Sequence, residues 1–392
     1  MRKRLPVVQP SPLPPLYAAW MDQLLGGPIP RETEATCDDC AMCATEGPGA
    51  EVAQVFFDPR TKCCTYVPAL ANFLVGRLLA DDDPAAADGR ATVEARLRAG
   101  VAVTPLGLGQ PPTFTLLYQN TAASSFGRSP SLRCPHYLHE QGGRCGVWKH
   151  RASVCATWFC KHVRGATGIR FWQSVQQLLA GVEGALARWC VLELDVGPEA
   201  LRRLFPPHRA PGPADTSEPC ALDDLVDRDL SRAVWGRWHG REVEFYRECA
   251  RLTGGLAWED VVAISGPDTR IHARLALTAY AALTSEETPA RLEVGGITIV
   301  RMGRAICRVS AYSVSDPLDL PKALMDVLPY FDGRTTDQAL QAIEDHEGLR
   351  IDRTLVRRLV DFEILVPVTR GWPRGEASVG SKRDHPQAPA AP

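Results

Sequence analysis

Apolar positions recur at helical spacing through most of the chain and change to short alternating runs near its end. Leu16, Trp20 and Leu24 share one face of a helix over 16–25, which Gly26-Gly27-Pro28 stops. A further helix is expected over 68–79, with strands at 101–105 and 113–119. Between them lies a charged, alanine-rich stretch that includes Ala91 to Arg98. From Gly168 onward, Ile169, Trp172, Val175, Leu178, Leu179, Val182 and Leu186 predict a long amphipathic helix. Helices at 229–252, 258–264 and 269–283 follow a proline-rich loop around Gly212-Pro213.

The pattern then shifts. Residues 291–294, 297–301 and 305–310 read as short strands broken by Gly295-Gly296 and Gly303. A helix is expected over 320–328. Thr335-Thr336-Asp337-Gln338 offers a capping box for another that ends at Gly348. A third helix over 352–362 and a closing strand over 364–368 complete a winged-helix-like module. The expected class is α+β, in five parts: an N-terminal arm with a short helix (1–30), a cysteine-rich metal-binding domain (31–166), a helical region (167–287), the winged-helix-like domain (288–370) and a disordered tail (371–392).

Composition narrows the function classes. Of 392 residues, 45% are hydrophobic, enough for a sizeable core, and the net charge of -2 gives no global field for nucleic acid or anionic membrane. Met1-Arg2-Lys3-Arg4 resembles the start of an export signal, but 5–15 carry five prolines and no apolar run. No segment reaches the roughly 18 apolar residues of a membrane helix. A cytoplasmic protein is expected.

The thirteen cysteines change the picture most. An odd number without an export signal argues against a disulfide framework. Nine fall in one stretch: Cys37, Cys40, Cys43, Cys63, Cys64, Cys134, Cys145, Cys155 and Cys160. Cys190, Cys220, Cys249 and Cys307 are scattered and read as buried small hydrophobes. Cys37-x-x-Cys40-x-x-Cys43 lets three sulfurs converge on a loop, as iron–sulfur and zinc sites require. Gly47 stands where a ferredoxin run would place its fourth cysteine, so Cys63-Cys64 is the nearest further supply. Cys155 and Cys160 can share a metal only if a helix starts or breaks between them. His136, His139, His150 and His162 could add imidazole ligands, although ordinary surface or core histidine is the preferred reading.

Cys134-Pro-x-Tyr-Leu, a Gly-Gly turn, Arg144-Cys145-x-Val-Trp, and Arg151-x-x-x-Cys155 resemble the second half of the YkgJ-like cysteine-cluster family, described as zinc- or iron-chelating. The family's first half, Cys-x-x-Cys-x-x-Cys-Cys, matches Cys37, Cys40 and Cys43, with Ala44 in place of the last cysteine. The pair stands instead at Cys63-Cys64, and an insertion over about 70–130 separates the halves. The flagellin lysine N-methylase shares the cysteine pattern, which implies an iron–sulfur enzyme; no methyl-donor motif accompanies it here. At the C-terminus, 328–336 and 356–365 are similar to PqqD-like modules, which implies peptide docking by strand addition. A plain winged-helix packing domain is the preferred reading. Arg350, Arg353, Arg357 and Arg358 lie among Asp345, Glu347, Asp352 and Asp361, so a mixed solvated face is expected rather than a DNA contact.

No Walker loop, HExxH, GxSxG or CxxxCxxC occurs, and Pro111-Pro112 after Gly107-Leu108-Gly109 argues against a dinucleotide fingerprint. The expectation is therefore an iron–sulfur cluster, or alternatively zinc, held by the clustered cysteines. A redox or modification role goes with the first, and a peptide-binding or protein-binding module with the second. No catalytic residue is identifiable.

Overall fold

The computed structural model describes residues 11–33, 35–37, 40–43, 57–206, 223 and 226–368. The expected disordered tail, the Gly212-Pro213 loop, Cys220 and the first ten residues of the arm lie outside these. The class is α+β with small sheets only. Among the described residues, no helix is long and apolar enough to cross a membrane.

The chain divides into two compact units. The first takes Met1–Arg31, Cys37–Trp158 and Val175–Leu275; the second takes Glu32–Thr36, Phe159–Ser174 and Ala276–Pro392. The cysteine-rich stretch and most of the helical region, distinct along the sequence, thus share one unit.

In the first unit, α1 spans Pro15–Leu25 and buries Tyr17, Trp20 and Met21. The strand β1 (Leu70–Ala71) leads into α2 (Asn72–Leu79), and α3 covers Ala87–Ala99. The strands β2 (Val103–Thr104) and β3 (Gly107–Leu108) join β1 in an antiparallel sheet of order β1-β3-β2. Next come α4 (Pro112–Ser125), the strands β4 (Tyr137–Leu138) and β5 (Arg144–Cys145), and a single turn α5 (Ser153–Ala156). The long α6 runs Gly165–Glu193 and belongs to this unit from Val175. It is followed by α7 (Pro198–Leu204), α8 (Arg228–Trp235), α9 (Glu242–Thr253), α10 (Trp258–Ser265) and α11 (Pro267–Thr284), which leaves the unit after Leu275.

Two expectations fail here. Residues 113–119 are helical, inside α4. Their run of apolar and polar residues fits either period. Pro112 starts this helix, because proline at the first helical position lacks only an N–H that the helix leaves unpaired. The 70–130 stretch, set apart above as an insertion between the cysteine halves, is instead part of the core. Phe73, Leu74, Val75 and Leu78 of α2 are buried, and α2 packs extensively along α9.

The second unit holds β6 (Leu292–Val294), β7 (Thr298–Met302), β8 (Ile306–Ser310), β9 (Leu318–Pro321), α12 (Lys322–Val327), α13 (Thr336–Glu347), α14 (Arg353–Asp361) and β10 (Leu365–Pro367). β10 pairs antiparallel with β6, and β7-β8-β9 form a second antiparallel sheet. The helix expected to begin at 320 begins later. Leu318–Pro321 pairs with β8 as a strand, and Pro321 then serves as the N-cap of α12. Thr335 and Gln338 form the capping box, and Gly348 closes α13 in the left-handed region. Val309, Phe331, Ile343, Val356, Leu359 and Leu365 form the centre of this unit's core. Two of the arginines considered above are occupied within the unit. Arg353 pairs with Asp337, and Arg357 with Asp361 and the carbonyls of Ala282 and Glu287.

Candidate metal centre

Eight of the nine clustered cysteines belong to the first unit: Cys37, Cys40, Cys43, Cys63, Cys64, Cys134, Cys145 and Cys155. Cys160 belongs to the second. α5 ends at Ala156, so the helix does break between Cys155 and Cys160. None of the described cysteines is in a disulfide. Cys190, Cys249 and Cys307 are buried, as expected for isolated cysteines.

Local structure sets the eight thiols in place. Cys43 N donates to Cys40 O at 3.0 Å, which closes the turn at the end of the CxxCxxC loop. Lys62 precedes the Cys63-Cys64 pair and sits at a φ of 49°, a conformation that costs a non-glycine residue roughly 1–3 kcal/mol. Its ammonium offsets that cost by donating to the carbonyls of Cys37 (2.6 Å), Gly143 (3.0 Å) and Gly142 (3.3 Å). One side chain therefore ties the first cysteine loop, the Cys-Cys pair and the Gly-Gly turn together. Cys134 N donates to Cys64 O at 2.8 Å, and β4 pairs Tyr137 opposite Cys145.

The backbone also addresses the sulfurs. The N–H of His136 donates to the Cys134 thiol, and the N–H of Val147 to the Cys145 thiol. Each donor is two residues beyond its cysteine, and each favours the thiolate. Burial and neighbouring thiols oppose this. Burial pushes Cys134 up to about 12 and Cys145 to about 11. Cys43 is pushed to about 12 by burial and then by Cys40. Cys37 rises to about 11 through burial and then the charge of Cys63; its side chain reaches the rim, but the surrounding chain is dense enough to disfavour a bare thiolate. Cys63 is raised by its hydrogen bond to Cys64 and by burial. The same bond lowers Cys64, but burial and the thiols of Cys134, Cys145 and Cys155 raise it further. Cys155 is raised by burial, then by Cys145, Cys134 and Cys63. Each of the eight thiols thus acts on at least one other, with Cys63 joining the CxxCxxC loop to the later cysteines. Among the described residues, no three His, Cys, Asp or Glu side chains converge into a ready chelate for one ion.

Cations accompany the thiols. Arg151 is 4% exposed, and its hydrogen bonds go to carbonyls of Pro12 (2.6 Å), Trp148 (2.7 Å) and Cys155 (3.3 Å). Its guanidinium lies 3.7 Å from the centre of the Trp148 ring. Burial lowers its pKa, and the acidic groups that act on it most are Cys145, Cys155 and Cys37. Arg96 is also buried, bonds the carbonyls of Gly109 (2.7 Å) and Val101 (3.3 Å), and is acted on most by Cys134 among acidic groups. A buried cation without a counter-charge costs several kcal/mol; the thiols are the nearest source of one for Arg151.

Two further contacts hold the scaffold. Glu183 of α6 accepts from Ser153 N (2.6 Å), Ser153 Oγ (2.8 Å) and the Tyr17 hydroxyl, so α1 and α6 fix the turn that carries Cys155. Thr92 of α3 donates its hydroxyl to Gly89 O at 2.7 Å and lies 2.8 Å from His136 Nδ1. With that hydroxyl proton committed, Nδ1 must be the donor, and burial, lowering its pKa to about 3, keeps the imidazole neutral. His136 is thus buried beside the thiols, while His162 belongs to the second unit and His150 bonds Asp81 at 2.9 Å.

Sequence reading singled out the thiols but not Lys62, Arg96, Glu183 or Tyr17. Each acts through a partner far along the chain, so no local spacing marks it. Arg151 alone carried a signal, four residues before Cys155.

Gly89 supports the β4–β5 hairpin directly. A Cβ there would meet Gly146 O at 1.8 Å, so α3 and the residue after Cys145 pack backbone to backbone. Gly89→Ala should push the hairpin off α3 and speed proteolysis within 134–146. Digestion at the wild-type rate would contradict this contact.

Comparison with family models, with curated proteins and with solved structures finds no match.

Proposed function

We propose that this chain is a metal-binding protein that holds an iron–sulfur cluster through the cysteines of its first unit. One observation carries the reading: eight cysteines from separate segments fall in one compact unit with Arg151, a buried cation acted on most by three of them, Cys145, Cys155 and Cys37. Alone, each thiolate is disfavoured by burial and by the next thiol. A bound iron or zinc reverses that balance, because it is the largest local charge and deprotonates a coordinating thiol outright. The donor set fits this. It is all cysteine thiol, two of its members already accept N–H bonds from the backbone, and Lys62, Arg96 and Arg151 would offset the negative charge that tetrathiolate centres retain.

Ligand number favours the cluster over zinc: three close cysteines with a remote fourth match cluster ligation, and nine candidates exceed the four that one zinc takes. A bound cluster would supply one-electron chemistry, for a redox or protein-modification role. The chain's own contribution is to hold the sulfurs and balance their charge.

Purification under exclusion of oxygen with metal analysis tests this. The expected product is brown, with iron and sulfide bound, and Cys37→Ser, Cys40→Ser and Cys43→Ser should each lower the content while Cys249→Ser does not. Metal content unchanged in all three N-terminal variants would sink the assignment.

A colourless zinc-bearing protein would favour the second reading, a zinc-stabilised module that binds a peptide or protein. One observation speaks for it. β7 lies at the edge of its sheet with all five residues exposed, Ile299 at 46% and Met302 at 65%. An extended segment could add there as a further strand.

A further inference from the structure

α3 carries an alanine face that the cysteine chemistry does not use. Ala91, Ala95 and Ala99 are four residues apart, so they share one side of the helix, and all three are exposed. Beside them lies an open cleft of about 490 Å³, lined by Ala91, Thr92, Ala95, Arg96, Ala99 and Pro135. Its volume is that of a small-molecule site. The walls are mostly apolar, because alanine and proline side chains carry no polar atom. The wall opposite the helix is held in place. Gly89 of α3 meets Gly146 backbone to backbone, and the ring of His136, next to Pro135, lies 2.8 Å from the Thr92 hydroxyl. Arg96 is the charged residue of this lining and is 7% exposed. Its Nη2 is committed to Gly109 O and Val101 O, whereas Nη1 is buried with no hydrogen-bond partner. Among the described residues Arg96 forms no ion pair. Asp223, the carboxylate that acts on it, already accepts from Thr113 N at 3.0 Å. A buried guanidinium bonded only to carbonyls keeps its charge and an unused donor, and an incoming carboxylate would answer both.

We propose that this cleft binds a small aliphatic carboxylate, its chain along Ala91, Ala95 and Ala99 and its carboxylate against Arg96. The lining selects that chemistry. An inorganic anion would leave the apolar walls unused, and an alcohol of the same length would bring no counter-charge to the guanidinium. An alkylamine would add a second cation beside Arg96. The site uses none of the cysteines, so it stands or falls independently of the metal-binding reading.

Calorimetric titration of the purified full chain with sodium hexanoate, and with hexanol and hexylamine for comparison, tests this. Hexanoate should bind one per chain. Hexanol and hexylamine should bind at least about tenfold more weakly, the fold-change that one charge-assisted hydrogen bond supplies. Ala95→Leu fills the cleft from an exposed position and should abolish binding. Arg96→Gln should weaken hexanoate to the level of hexanol. Arg96 also ties down the carbonyls of Val101 and Gly109, so circular dichroism accompanies that variant, and Ala95→Leu decides the question if Arg96→Gln fails to fold. Hexanoate binding to Ala95→Leu as it binds wild type would overturn the proposal. Hexanol binding as tightly as hexanoate, or no saturable binding of hexanoate by wild type, would overturn it equally.

Discussion

Stripping metal from the purified chain should unfold the cysteine loops while leaving the second unit folded. Structural metal contributes on the order of 10–16 kcal/mol of apparent binding energy at a thiolate site, and that energy is folding energy wherever the site orders the chain. Residues 57–66 and 134–156 have little regular structure of their own: β4, β5, α5 and two 3-10 turns (His139–Gln141 and Trp148–His150) are each two to four residues long. Their order depends on Lys62, Arg151 and the thiols. Without the metal, two buried arginines face thiols that have regained their protons, which removes the counter-charge. Chelation should therefore expose 57–66 and 134–156 to protease. α2, α6 and α9 should resist, because Phe73, Val75, Leu179, Val182, Phe245 and Tyr246 form an apolar core that no metal supports. The core around Phe331 and Ile343 should be unaffected. Uniform loss of protection along the whole chain would refute this.

Gly76→Ala should destabilise the first unit by at least about 3 kcal/mol, at the top of the range for overpacking a tight core. A Cβ at Gly76 would sit 1.7 Å from Tyr246 O and 2.5 Å from Tyr246 C, and both are backbone atoms of α9. No rotamer change relieves such a clash; α2 and α9 must move apart. That shift would also strain the Tyr246 hydroxyl, which donates to Thr104 O at 2.7 Å, and Asn72, whose amide donates to the carbonyls of Pro105 and Ala187 at 2.9 Å each. Urea unfolding followed by tryptophan fluorescence measures the effect, and a change below about 0.5 kcal/mol, the scale of a surface substitution, would show that the helices do not meet at Gly76.

How much was legible in the sequence depended on the range of the signal. The long helix α6, the capping box at Thr335, the stop at Gly348 and the strands of the second unit follow from periodicity and from turn chemistry, which act over a few residues. The strand expected at 113–119 failed, because a short apolar run fits a strand or a helix equally and burial of Phe114 and Tyr118 on one helical face decided for α4. β9 was missed for the same reason: its four residues become a strand only by pairing with β8.

The cysteine spacing by itself determined that thiol chemistry is concentrated between Cys37 and Cys160, since burial alone does not produce three cysteines at three-residue intervals with six more nearby. It did not determine which thiols keep company with which. Tertiary structure decided that the 70–130 segment is core rather than an outer loop, and that Arg96, Arg151 and Lys62 lie among the thiols. The physical reason is distance along the chain. Helix periodicity and ligand spacing are written into neighbouring residues, whereas a buried cation finds its counter-charge, and Gly76 its helix, across separations of tens to well over a hundred residues, where only the packed fold brings the partners together.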